Sequence, residues 1–127
     1  LWLQGARAGI HEEVEAATRV SEQWLQVIAR QSAVSGISAE QLLALLHPAG
    51  RIRANALEVR DAAGQRLYLS PPPSYKQGRV VPDYFAHLLA PAFEPRRIEF
   101  GHLAVTIHPD ASRAIIDAWD DLCAMAG

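Results

Sequence analysis

Between residue 3 and about residue 31 the chain places apolar or small side chains at Ile10, Val14, Ala17, Ser21, Trp24 and Ile28, in steps of four and three. Steps of that size put them on one seam of a helix. Glu12, Glu13, Glu15, Arg19 and Glu22 lie off the seam, and no proline interrupts it. The predicted helix is roughly 40 Å long at 1.5 Å per residue, longer than a domain of this size needs to cover one core. Two readings follow. The helix packs along a sheet, or the sheet covers one end of it while the other joins a dimeric bundle leading to a membrane. In the second case Ile10, Val14, Ala17 and Trp24 are the dimer or signalling face.

A break at Ser35-Gly36 comes next. Ser38 and Gln41 then form an S-x-x-Q capping box, with Ile37 and Leu42 as the two members of a hydrophobic staple. The spacing predicts a short helix over 39–46 that ends before His47-Pro48, where proline discourages continuation. Leu42, Leu43, Leu45 and Leu46 are its core candidates. Strands are predicted over 51–60 and 65–70, flanking Asp61-Ala62-Ala63-Gly64, a hairpin loop in which glycine takes positive φ. Alternation places Leu57, Val59, Leu67 and Leu69 on one face and Glu58, Arg60, Arg66 and Tyr68 on the other.

Pro71, Pro72 and Pro73 forbid ladder hydrogen bonds and favour extended backbone. A helix is predicted to start near Pro82 and carry Tyr84, Phe85, Leu88 and Leu89. Strand material follows at 96–100 and 103–108, where Gly101 is either a tight turn or a bulge. Pro109 opens a last helix at its first position, with Asp110 beside the positive end of the dipole and an apolar stripe of Ala111, Ile115, Ala118, Trp119, Leu122 and Met125. The order predicts an α+β fold, an antiparallel sheet of about four strands covered by helices, with the two end helices placed to run side by side.

At 127 residues the chain is sized for a single domain spanning its whole length, and a hydrophobic fraction of 50% with 20% charged residues excludes a disordered chain. A net charge of −2 encodes no pull toward nucleic acid. The lone Cys123 excludes an internal disulfide and any multi-cysteine zinc site. No apolar run reaches the eighteen or so residues that a spanning helix needs. The chain therefore reads as a soluble domain, but it begins without methionine inside one helical pattern and ends inside another, so it is expected to be a fragment of a longer chain.

Chemistry is sparse. His11, His47, His87, His102 and His108 fall in different elements, so no metal site is expected; no cofactor is expected either. No nucleophile elbow, phosphate loop or S-x-x-K is present, and Asp120-Asp121 reads as a solvated helix face. One polar and aromatic cluster stands out. Tyr75, Lys76, Arg79 and Tyr84 lie close in sequence to the hairpin carrying Arg60, Arg66 and Tyr68, and together they can hold a small anion, a carboxylate ligand or a partner's segment.

The stretch Asp61-x-x-Gly64-x-x-Leu67-Tyr68-x-Ser70-Pro71-Pro72, then Tyr75-Lys76-x-Gly78-Arg79-x-x-Pro82-x-Tyr84-Phe85, resembles the extracytoplasmic N-terminal domain shared by LapD-like and MoxY-like bacterial signalling proteins. Gly101-x-Leu103-x-Val105-x-x-His108-Pro109-x-Ala111 leading to Trp119 resembles that family's closing strand and helix, and Ala6-Arg7 and Glu12-Glu13 its first helix. The resemblance implies a PAS-like or PDC-like sensor held between two transmembrane helices of a bacterial inner-membrane protein, periplasmic in location and homodimeric. Its stimulus would be a small molecule or a periplasmic protein. The Ser-Pro-Pro and Tyr-Lys-x-Gly-Arg stretch is closer to the branch whose output is a histidine kinase, so the catalytic part would lie outside these residues. The alternative is a LapD-like docking domain that binds a periplasmic partner upstream of a cyclic-di-GMP module; the tryptophan hairpin associated with protease capture in that branch has no match here.

Overall fold

Helix α1 (Trp2–Ser35) runs unbroken for 34 residues, about 51 Å, and the rest of the chain is laid along it. The computed structural model describes residues 2–51, 55–72, 80–89 and 93–126. After α1 come α2 (Ala39–Ala49), β1 (Ala56–Arg60), β2 (Arg66–Leu69), α3 (Asp83–Leu89), β3 (Arg96–Phe100), β4 (Leu103–His108) and α4 (Ser112–Ala126). The fold is α+β, with one antiparallel sheet in the order β2-β1-β4-β3.

The buried residues of α1 are Ile10, Val14, Thr18, Ser21 and Leu25, in steps of four, four, three and four. A straight helix packed on its own protomer drifts in this way, close to an eleven-residue repeat, whereas a strict heptad would require supercoiling. The expected seam therefore holds at Ile10, Val14 and Ser21 and slips elsewhere: Ala17 is half-buried and Trp24 is exposed.

This row serves two hydrophobic cores. The first lies between the C-terminal half of α1, α2 and one face of the sheet, and is built from Leu25, Leu42, Leu46, Leu57, Val59, Ile98, Phe100, Leu103, Val105 and Ile107. The second lies between the N-terminal half of α1, α3 and α4, around Ile10, Val14, Phe85, Leu89 and Ile115, with the small residues Ala6, Ala111, Ala114 and Ala118 at its margin. The Phe85 ring sits 6.2 Å from Trp2 and 4.7 Å from Trp119, so the start of α1 and the later part of α4 meet at one point. The first turns of α4 flank α1 near Val14 and Val20 instead, which makes the two end helices antiparallel neighbours.

Between the cores runs a polar belt. Thr18 and Ser21, both fully buried, return their hydroxyl hydrogens to the α1 carbonyls of Val14 and Ala17 at 2.7 and 2.9 Å. Asn55, 1% exposed, donates to Thr18 Oγ1 at 3.4 Å and accepts the Asp110 backbone N–H at 3.1 Å. Arg51 closes the belt with a 2.8 Å ion pair to Asp110.

Local expectations fare differently. The capping box forms in both directions, Gln41 N–H to Ser38 Oγ at 3.2 Å and Ser38 N–H to Gln41 Oε1 at 2.9 Å. Gly64 has φ 83° and closes the hairpin, and Gly101 is the turn between β3 and β4, at φ 60°. Helix α2, however, continues through Pro48 to Ala49. A proline in the last turn removes only one helical hydrogen bond, to an exposed residue, and Gly50 N–H still reaches Leu46 O at 3.0 Å. Helix α4 begins at Ser112 rather than Pro109. The Asp110 backbone N–H is tied to Asn55, and its carboxylate accepts from Ser112 N–H at 2.8 Å, so it is an entry turn and not helix interior. Strand β1 begins at Ala56; residues 52–54 of the expected strand lie outside the described residues.

The hairpin faces are the largest correction. A β-bulge between Val59 and Arg60 shifts the register, so that Glu58 pairs with Leu69, Val59 with Tyr68 and Arg60 with Arg66. One extra residue reverses the alternation beyond it. Tyr68 thus turns to the core face, and Leu67 and Leu69 are left 37% and 45% exposed.

The belt leads to a first prediction. Asn55→Ala removes two buried hydrogen bonds at once and should lower stability by about 2 kcal/mol in urea unfolding. Amide exchange in α4 should accelerate more than in β1 and β4, because Asn55 holds the entry turn of α4.

Candidate functional site

Arg60 and Arg66 face each other across β1 and β2, an arrangement in which like charges repel. Glu58 resolves it. Its carboxylate, only 10% exposed, accepts from Arg60 Nε and Nη2 at 3.2 Å each and from Arg66 Nη1 at 3.5 Å, and lies 3.4 Å from His108 Nε2 on β4. All four side chains project from the sheet face opposite the first core, since Glu58 pairs in register with Thr106 while its neighbours Leu57 and Val59 point inward. Arg97 and Glu99 on β3 extend this charged face with a looser contact of 3.6 Å.

Burial by itself would push the Glu58 carboxyl up. Hydrogen bonds from Arg60 and His108, with the charges of both, outweigh that and hold it below its ordinary value of 4.5. The carboxylate therefore stays ionised and organises the cations around it. Two guanidinium groups against one carboxylate leave the cluster positive, and the Arg60, Arg66 and His108 side chains are 46%, 51% and 40% exposed. Arg60 is further steadied by its Nη1 bond to Gly64 O at 2.7 Å. The arrangement can take up an anionic group, a carboxylate or phosphate, on a flat surface with Leu69 as its apolar neighbour.

Of the residues singled out from the sequence, Arg60 and Arg66 are brought together. Tyr68 is not with them: it packs against the first core, its ring meeting exposed His47 edge-on at 6.0 Å, with its hydroxyl buried and unpartnered. Tyr84 stands on α3, 65% exposed, in the element that closes the second core. Tyr75, Lys76 and Arg79 lie outside the described residues. Ile10 and Val14 are buried inside their own protomer. The histidines are dispersed, with His11 stacked on Phe93 at 5.4 Å and His102 in the β3–β4 turn, and among the described residues no group of three His, Cys, Asp or Glu could hold a metal ion. Cys123 is half-buried on α4.

Glu58 and His108 are the members that sequence reasoning missed as a site. An acid at i and a base at i+2 on one strand, with a second base just past the hairpin, was an available signal for Glu58. His108 joins only because β4 pairs with β1, which spacing along the chain does not reveal.

Groove geometry lies elsewhere. An open groove of about 520 Å³ runs between α1 and the first turns of α4, lined by Val14, Ala17, Val20, Arg113, Ala114 and Asp117. Another of about 570 Å³ lies between the end of α1 and the β3–β4 turn. No helix among the described residues is long and apolar enough to cross a membrane.

Two substitutions separate site from core. Glu58→Gln should cost about 1–2 kcal/mol at neutral pH, by loosening the hold on two facing arginines. Because the folded carboxyl sits below its unfolded value, this stabilisation is present above about pH 4.5 and is lost as pH falls through the folded value. The gap between the native chain and Glu58→Gln in thermal unfolding should therefore close on acidification below that pH. Tyr68→Phe deletes a buried hydroxyl without a partner and should raise stability by up to about 1 kcal/mol in thermal unfolding, at acidic and at neutral pH alike.

No family model, curated protein or solved structure matches this chain.

Proposed function

We propose that this chain is the extracytoplasmic sensory domain of a membrane-bound two-component histidine kinase, a PAS-like unit whose parent chain carries the kinase. The observation that supports this most is the antiparallel packing of α1 against α4 around Phe85, with Trp2 and Trp119 on either side of it. In such an arrangement both ends of the domain leave from one side, and a shift of one helix along the other is a signal that two membrane helices can carry. The seam between them is favourable for small shifts, because Ala6, Ala111, Ala114 and Ala118 line it with short side chains.

The sheet is tied to both helices. Arg96 on β3 donates to Glu15 and Glu22 of α1 at 2.9 Å each, and Asn55 with Arg51 holds the entry to α4. An anionic ligand captured by Arg60 and Arg66 would perturb Glu58 in the central strand β1 and bias the helices through these ties. The flatness of that charged face favours, as a second reading, a docking domain for an acidic segment of a periplasmic protein.

A locking experiment in the membrane-embedded parent protein tests the transmission. With Cys123→Ala in place, cysteines at Glu13 and Asp117, exposed positions that line the same groove between the two helices, can join α1 to α4 through a reducible thiol cross-linker. Cross-linking should freeze autophosphorylation in one state and reduction of the cross-linker should restore its response. A response that survives the lock would reject the helix-shift model. Stoichiometric capture of one periplasmic protein, abolished by Arg66→Ala, would favour docking.

A further inference from the structure

Helix α1 carries a second apolar row that its own protomer leaves bare. Val20, Trp24 and Val27 are 42%, 39% and 44% exposed and Val34 is 91% exposed. Together with half-buried Ala17 and with Gln31 they follow one another strictly in steps of three and four. At 100° per residue this row lies roughly 110° round the helix from the buried row.

The two rows keep different periods. The inner row follows the drift of a straight helix lying on a sheet, whereas the outer row alternates three and four from Ala17 to Val34, the period that keeps a seam facing another helix. No described element of the chain occupies that place. Helix α4 flanks α1 only as far as Val20, where Arg113, Ala114 and Asp117 line the groove. On the opposite flank, α2 leaves Leu45 47% exposed beside Ile28 and Gln31.

The flanking positions identify the occupant. Ala16, Gln23 and Arg30 border the row on one side and Ile28 and Ser35 on the other, so Arg30 is the one charge among these five. A foreign amphipathic helix is selected by complementary charge at such positions, and little charge is present to select it. A second copy needs only that like charges do not meet. In a parallel pair Gln23 faces Ile28 and Arg30 faces Ser35 of the other copy, and neither contact repels. Gln31 favours the parallel sense, because two amides then meet and bond to each other within the seam, whereas an antiparallel pair sets each against an apolar side chain.

We infer that Ala17, Val20, Trp24, Val27, Gln31 and Val34 form a parallel, two-helix seam between two copies of this chain. The seam lies beside the row of Ile10 and Val14, which is closed inside each protomer. The inference stands on the surface of α1 alone and does not depend on a sensing role.

Light scattering across a concentration series should show a dimer, and Val27→Glu or Trp24→Glu should raise its dissociation constant by about 100-fold with an unchanged far-ultraviolet circular dichroism spectrum. In a Cys123→Ala background, Val20→Cys alone and Val34→Cys alone should each form a disulfide-linked dimer, since a parallel seam sets each position against its own copy. A monomer at every concentration overturns the inference. So does a dimer that Val27→Glu leaves intact, and so does cross-linking seen only when Ala17→Cys and Val34→Cys chains are mixed, which is the antiparallel result.

Discussion

One helix serves two hydrophobic cores, and the positions of the other elements follow from that. A sheet of strands four to six residues long covers less than half the length of α1. The remainder has to be covered by something else, and α3 and α4 do so through Phe85, Leu89 and Ile115. Where the two coverings meet, the buried row changes to Thr18 and Ser21. Their hydroxyls bond to carbonyls of their own helix, so their burial does not require a partner from another element. Thr18 has an acceptor left over for Asn55, and through Asn55 the junction determines where α4 begins.

The second constraint is electrostatic and lies on the other side of the sheet. Arginines opposed on adjacent strands would weaken the β1–β2 pairing, yet that pair is at the sheet edge, with few other elements to hold it. Glu58 converts the repulsion into a three-residue cluster, and His108 extends it across to β4. Each exposed pair contributes modestly on its own, but Glu58 is shielded from solvent by the cations it attracts, so its bonds are less screened than those of an isolated surface pair. The cost is an unneutralised positive charge on an open face.

Most of the fold was legible in the sequence wherever the signal was local. The capping box at Ser38 and Gln41, the glycine turns at Gly64 and Gly101 and the strands Arg96–Phe100 and Leu103–His108 depend on residues within a few positions of each other. The errors arose where a distant contact overrides a local preference. Pro109 is a good first helical residue, but Asn55, far away in sequence, takes the next backbone N–H and delays α4. Alternation placed Leu67 and Leu69 inside, and one bulged residue reversed them with Tyr68. The site was half legible for the same reason: Arg60 and Arg66 are joined by a hairpin, whereas His108 is joined by strand order. The long helix α1 was legible, but the seam read from it merged two rows, because Ala17 and Trp24 belong to the outer row and Ile10 and Val14 to the inner.

The ties between the sheet and the two end helices differ in strength. Arg96 reaches α1 through two carboxylates, but its side chain is 35% exposed and those of Glu15 and Glu22 are 34% and 26% exposed. Hydrogen bonding to Glu22 raises the Arg96 pKa against the opposing effect of burial, so the guanidinium remains charged and the clamp depends on Coulomb attraction that water and salt reduce. The link to α4 is drier: Asn55 is 1% exposed, and the Arg51 and Asp110 side chains are 16% and 20% exposed. Buried hydrogen bonds are short-ranged, and leaving them unmade carries the desolvation penalty of each group, so this link either holds or breaks. A disturbance of β1 therefore reaches the entry turn of α4 and Thr18 of α1 through one stiff, dry junction at Asn55, and reaches Glu15 and Glu22 of α1 through a compliant, solvated clamp.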